Sequence, residues 1–169
     1  VVSLIQSFSK DTHPMDVLRT VVSFLGTDNH HDSIDDIAVS LWAKIPLIIA
    51  CFYRFKHGLD FRKVDKSLSF SEHFFYLCFD NVPEKEIVLA LDKSLILYAE
   101  HSFNASTFTA RVISSSLSDA YGAVSGAIAS LKGPLHGGAN EAVMTMFHDI
   151  GDSDNTVSWL THKLKLKEK

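Results

Sequence analysis

Two stretches of this 169-residue chain group side chains that can bind or activate a substrate. The first is Ala99-Glu100-His101-Ser102-Phe103-Asn104-Ala105-Ser106-Thr107-Phe108, where one helix ends in polar residues and another begins. Asn104, Ser106 and Thr107 can simply cap the new helix, and the dipole favours a histidine such as His101 at the end of the old one. Capping is the simpler reading from the local sequence; the same groups also offer donors and acceptors to a polar ligand. The second stretch is Gly133-Pro134-Leu135-His136-Gly137-Gly138-Ala139-Asn140-Glu141. Gly133, Gly137 and Gly138 surround His136, and glycine lets a ligand or another backbone come close. The following helix N-terminus offers free N–H groups to an anion or a polarised oxygen. A helix end of that polarity favours a neutral imidazole, which can donate a hydrogen bond. A turn that only joins two helices needs no histidine, so the local chemistry here favours function.

The elements that must hold these stretches read as helices almost throughout. Thr12-His13-Pro14-Met15-Asp16 is a helix start, with Pro14 at the first helical position and Asp16 at the positive end. Met15, Leu18, Val22 and Leu25 recur at helical spacing, and Gly26 can end that helix. Asp32 or Ser33 can cap a second helix, whose buried face reads Ile34, Ile37, Ala38, Leu41, Ile45, Ile48, Ile49 and Phe52. Pro46 predicts a kink or a break in it. Residues 57–69, polar and containing Gly58, predict a loop.

Further helices are expected over residues 71–79 and from Asn81-Val82-Pro83-Glu84 to about residue 99. One long helix is predicted over residues 106–131, its second half rich in Ala, Gly and Ser. Each interior glycine costs about 1 kcal/mol relative to alanine. These small residues therefore predict a closely packed neighbour helix, within one core or across a dimer. Gly133-Pro134 breaks the chain, and residues 140–147 and 152–165 read as the last two helices. With no alternating strand pattern, repeat or low-complexity linker, the expectation is an all-α fold of about seven helices.

Composition narrows the function classes. A net charge of −4 and 46% hydrophobic residues describe a globular chain without the basic surface that nucleic acid requires. Lys163, Lys165, Lys167 and Lys169 alternate with leucines at the end and read as a solvated terminus. Cys51 and Cys78 sit in apolar runs and read as buried free thiols, with no disulfide or zinc framework. A reducing compartment is expected: the cytoplasm, or the mitochondrial matrix in a eukaryote. The longest apolar run, residues 45–53, is too short to span a bilayer and contains Pro46. The first residues lack a signal peptide's basic start and cleavage site, and read like the middle of a fold. His13 precedes a helix. The adjacent His30 and His31 sit in a polar loop and share no helix face for a metal. His57, His73, His148 and His162 read as structural or surface residues.

Leu-Tyr-Ala-Glu-His-Ser-Phe-Asn-Ala-Ser-Thr-Phe-Thr-Ala-Arg (97–111), followed by Leu-Lys-Gly-Pro-Leu-His-Gly-Gly-Ala-Asn-Glu-Ala-Val (131–143), resembles the citrate synthase family. His-Pro-Met-Asp-Val-Leu-Arg-Thr (13–20) resembles an upstream stretch of the same family, so the likeness covers essentially the whole chain. Phe103, Phe108 and the run Tyr53-Arg54-Phe55-Lys56-His57-Gly58 resemble its 2-methylcitrate branch; Ser102 departs from the acidic residue expected after His101.

The resemblance implies an acyl-CoA, propionyl-CoA or acetyl-CoA, condensing with oxaloacetate to give 2-methylcitrate or citrate and free CoA. It implies His136 as the histidine that hydrogen-bonds the thioester oxygen and His101 as an oxaloacetate ligand. Asn104 would support the oxaloacetate site, and Ser106 would orient the catalytic histidine. Gly133, Gly137 and Gly138 would line the acyl-CoA pocket. It further implies a homodimer and no metal or redox cofactor.

The family also uses a histidine in a Gly-His-Arg motif, a later aspartate base and oxaloacetate-clamping arginines, which do not occur here. Asp149, Asp152 and Asp154 read as residues that cap the last helix. The chain is thus expected to be one helical region, 1–169, truncated at both ends, from the centre of the large domain to the start of the small one, and inactive alone. The competing reading is a non-catalytic all-α dimerisation or scaffold module.

Overall fold

A computed structural model describes residues 1–27 and 33–166. Residues 28–32 and 167–169, which include His30, His31, Asp32, Lys167 and Lys169, lie outside it. The described residues form nine α-helices and one short 3-10 turn, with no strand. They are α1 (Val2–Gln6), α2 (Pro14–Leu25), α3 (Ile34–His57), α4 (Phe70–Phe79), α5 (Lys85–Tyr98), α6 (Ala105–Ser115), α7 (Ala120–Leu131), α8 (Gly138–Ile150) and α9 (Thr156–Leu166). The 3-10 turn, Ser153–Asn155, immediately precedes α9. Two compact units result, Val1–Ser130 and Leu131–Lys169.

The core of the first unit forms around α3. Ile37, Leu41, Ile48 and Phe52 of this helix meet Ile5 of α1, Val17, Leu18, Val21 and Val22 of α2, and Tyr121 and Ile128 of α7. Ser33 caps α3 by accepting from Asp36 N–H at 3.2 Å, and Gly58 ends it at φ 69°. The helix runs without a break through Pro46. Proline costs roughly 3 kcal/mol in a helix interior. Here buried residues on both sides of it pack into the same core and offset that cost.

The buried face of α3 is narrower than the sequence implies: Ile34, Ala38 and Ile49 are exposed and Ile45 is half-buried. At 24 residues α3 is also long and apolar enough to cross a bilayer, which the run 45–53 alone did not indicate. It serves here as the central core helix.

The expected long helix over residues 106–131 is two helices, α6 and α7, parted at 116–119. Leu117 holds a left-handed φ of 60° and Asp119 accepts from Gly122 N–H at 2.7 Å. The small residues of α7 let it sit close to α6: a Cβ added at Gly126 would clash with Ile113 Cδ1. At the start of α7, Tyr121 lies over Gly26, where an added Cβ would come within 2.8 Å of the tyrosine Cβ.

Arg54, 2% exposed, ties α3 to α4 and to the loop between them. Its guanidinium donates to both Asp80 oxygens at 3.0 and 3.1 Å, to the Leu77 and Cys78 carbonyls, and to the Asp60 carbonyl. Arg62 also pairs with Asp80. Hydrogen bonds from Arg62 and then Arg54 hold the Asp80 carboxyl at about 2. A carboxyl depressed in the fold adds stability above its unfolded value near 4, and loses it as pH falls through the folded value. Melting temperatures of the Asp80→Asn variant are therefore expected to fall less than those of the original chain between about pH 4 and pH 2. Parallel profiles over that window would refute this role. Burial pushes the Cys78 thiol up to about 11, and Cys51 is also raised by burial, so both are poor nucleophiles.

Candidate active-site segments

In the first unit, the turn between α5 and α6 presents His101 and Asn104. Asn104 is the N-cap of α6: its Oδ1 accepts from Thr107 N–H at 2.9 Å. The expected capping role is therefore real, and it uses only the oxygen end of the amide. The amide nitrogen is not used in that cap. His101 is exposed and stacks on Tyr98, ring centroids 6.3 Å apart at 25°. Ser102 adopts φ 53°, and its N–H donates to the Glu100 carboxylate at 2.6 Å. Ser106 Oγ donates across to the Ala127 carbonyl of α7 at 3.0 Å, tying α6 to α7 beside the turn.

In the second unit, residues 133–137 make a tight turn into α8. The Gly133 carbonyl accepts from both His136 N–H at 2.9 Å and Gly138 N–H at 3.1 Å. This folding back explains two of the glycines. A Cβ at Gly138 would lie 2.8 Å from the Lys132 and Gly133 carbonyl oxygens, and one at Gly137 would lie 2.6 Å from the Leu131 oxygen. The close approach is of backbone to backbone. It lifts Leu135 fully into solvent and leaves His136 half-buried at the start of α8. That helix begins at Gly138, two residues earlier than the sequence implies, so Glu141 falls in its positively polarised first turn. The Gly138→Ala substitution forces that backbone apart and is expected to cost about 1–3 kcal/mol. A denaturation midpoint unchanged from the original chain would contradict this packing.

Each unit thus presents one of the two candidate histidines, His101 or His136, on a turn beside a helix start. Asp152 accepts from Asp154 N–H at 3.0 Å, so it caps the 3-10 turn before α9. His13, likewise, accepts from Met15 N–H at 3.1 Å as the N-cap of α2. Among the described residues no cluster of His, Cys, Asp or Glu has the make-up of a metal site. The apolar cavity beside Pro14 and Phe52, and the one beside Phe147 and Trp159, include neither His101 nor His136. Two supporting contacts escaped the sequence reading, Tyr98 on His101 and Arg111 over Phe103. The first has a signal in the three-residue spacing at a helix end; the second spans two helical turns and has none.

Comparison with known proteins covers the whole chain. The family model for the citrate synthase C-terminal domain matches residues 1–169. A 2-methylcitrate synthase of Mycobacterium tuberculosis is 46% identical over 175 residues, covering 100% of this chain and 44% of that protein. A citrate synthase of Mycolicibacterium smegmatis is 43% identical over 173 residues, covering 99% of this chain and 46% of its own length. The chain therefore spans less than half the length of these relatives. Among solved structures, citrate synthase from Thermoplasma acidophilum, in ternary complex with carboxymethyl coenzyme A and oxaloacetate, superposes with a TM-score of 0.87 at 28% identity, covering 99% of this chain and 45% of that one. Citrate synthase from Thermotoga maritima gives 0.81 at 36% identity, covering 99% and 44%. With the helical architecture, both histidine turns and every residue falling within this match, the chain belongs to the citrate synthase family.

Proposed function

We propose that this chain supplies part of the active site for condensing an acyl-CoA with oxaloacetate, with propionyl-CoA as the favoured acyl donor. In that reaction a base outside residues 1–169 takes the α proton of the thioester, the freed electron pair forms a C–C bond to the oxaloacetate ketone carbon, and the ketone oxygen takes up a proton. Water then cleaves the thioester, giving a tricarboxylate and free CoA. His136 donates a hydrogen bond to the thioester oxygen as enolate charge develops there. A fixed donor stabilises that oxygen more in the transition state than in the ground state. His101 and the Asn104 amide nitrogen donate to oxaloacetate, whose two carboxylates call for donors. Ser106 steadies α6 against α7, and Gly133, Gly137 and Gly138 shape the turn that carries His136 toward the acyl-CoA. The reaction needs no metal or redox centre, and the setting is a cytoplasmic or mitochondrial-matrix homodimer.

The observation that carries this reading is His136 held half-buried at the start of α8 by a turn in which Gly137 and Gly138 are sterically required. Five curated relatives bear the name 2-methylcitrate synthase, among them two of Corynebacterium glutamicum and one of Shewanella oneidensis, which supports propionyl-CoA.

The test is a chimera in which residues 1–169 replace the matching stretch of the Mycobacterium tuberculosis relative. Oxaloacetate-dependent CoA release is measured with propionyl-CoA and with acetyl-CoA. One methylene is worth roughly 10- to 200-fold in discrimination, so a kcat/KM at least tenfold higher with propionyl-CoA is expected. Preference for acetyl-CoA would overturn the branch assignment. A folded chimera with no CoA release would favour the non-catalytic scaffold reading.

A further inference from the structure

The motif that ends at Arg111 gives that residue no role, yet its guanidinium carbon lies 5.0 Å from the centroid of the Phe103 ring. We infer that Arg111 is a positioning residue: through Phe103 it holds the turn that presents His101 and Asn104. This rests on the reading of that turn as the oxaloacetate side of the site.

Three consecutive residues of the turn are each held by a different partner. Ser102 has a left-handed φ of 53°, which a serine adopts only when its surroundings impose it. The Glu100 carboxylate, behind it in sequence, accepts its N–H. Asn104 is fixed ahead by its cap on Thr107. Between them Phe103 is 71% exposed, and burial does not fix it. Phe103 precedes the N-cap, where an apolar residue ordinarily packs on the fourth helical residue, here Phe108. The ring faces the guanidinium of Arg111, whose backbone sits two turns, about 10 Å, beyond Asn104 on α6 and whose side chain reaches back to it. Among the described residues no carboxylate pairs with Arg111. An arginine stacked on an aromatic face is held by charge and by its plane, which lysine or an aliphatic side chain reproduces poorly. The clamp leaves His101 and Asn104 free to face a ligand, since neither takes part in it.

The test has two arms. In the 169-residue chain, nuclear magnetic resonance reads the ring-current shift of the Arg111 δ-protons and the exchange rate of the Ser102 amide. Phe103→Leu is expected to abolish the shift, and Arg111→Met to speed the amide exchange. In the chimera, Arg111→Met is expected to raise the oxaloacetate KM about two- to fivefold, the worth of an exposed cation–π contact, with kcat unchanged. Phe103→Leu should do the same, and the double variant no more than either single one. Phe103→Trp, which keeps a π face, should hold the KM near the original value.

A shift that survives Phe103→Leu, or additive effects in the double variant, would overturn the clamp. So would an unchanged KM in the Arg111→Met variant of an active chimera. If the chimera consumes no oxaloacetate but the Ser102 exchange still responds to Arg111→Met, the clamp stands and the functional reading of the turn fails.

Discussion

His136→Ala in the chimera is expected to lower kcat by about 10²–10³-fold while the oxaloacetate KM stays within roughly twofold. The magnitude is that of removing one fixed donor from a developing oxyanion. The split follows from position: His136 sits on the turn before α8, whereas the residues assigned to oxaloacetate sit on the turn before α6. Alanine keeps the bond that closes the turn, which runs from the His136 backbone N–H to the Gly133 carbonyl. Steady-state kinetics with each substrate varied in turn, alongside circular dichroism to verify folding, makes the check. A folded variant that kept kcat within tenfold would remove His136 from the chemistry.

Arg54→Met is expected to destabilise the chain by about 3 kcal/mol, at the lower end for loss of one partner from a buried ion pair. The cost comes less from the charge of Asp80, which is partly exposed and keeps Arg62, than from buried carbonyls left without a donor. Met fills much of the same volume, so the loss is chiefly polar. A drop in melting temperature of roughly 6–12 °C follows for a chain of this size. Asp80→Asn should fall well short of that at neutral pH, because the Leu77, Cys78 and Asp60 carbonyls keep their donor. Equal losses from the two substitutions would show that the ion pair, and not the carbonyls, is what Arg54 provides.

Most of the scaffold was legible because its signals are local. Pro14 with Asp16, Ser33, Gly58 and the stretch Asn81-Val82-Pro83-Glu84 all mark helix ends that the structure keeps to within a few residues. The failures have local causes too. The gap between α6 and α7 hid because Leu117, not glycine, takes the left-handed position after α6. Pro46 was misleading because packing along both halves of α3 outweighs its local cost. The first helix, Val2–Gln6, is too short to show a period and is held by the burial of Ile5.

At the candidate site, the residue types around His101 and His136 were visible, but what the glycines do was not. Gly137 and Gly138 are demanded by carbonyl oxygens from residues 131–133, a fold-back that spacing alone does not reveal. Asn104 was legible as a cap, and it is one. The Arg54 network joins residues 54, 60, 62 and 80 across a loop that reads only as polar sequence.

If residues 1–169 supply part of the site for condensing propionyl-CoA with oxaloacetate, product stoichiometry reveals it. The chimera is incubated with propionyl-CoA and oxaloacetate, free CoA is titrated, and the organic acid is identified by mass spectrometry. One 2-methylcitrate for each CoA released is expected, and no release when oxaloacetate is withheld. CoA released without oxaloacetate, leaving only propionate, would mean a hydrolase and would contradict it.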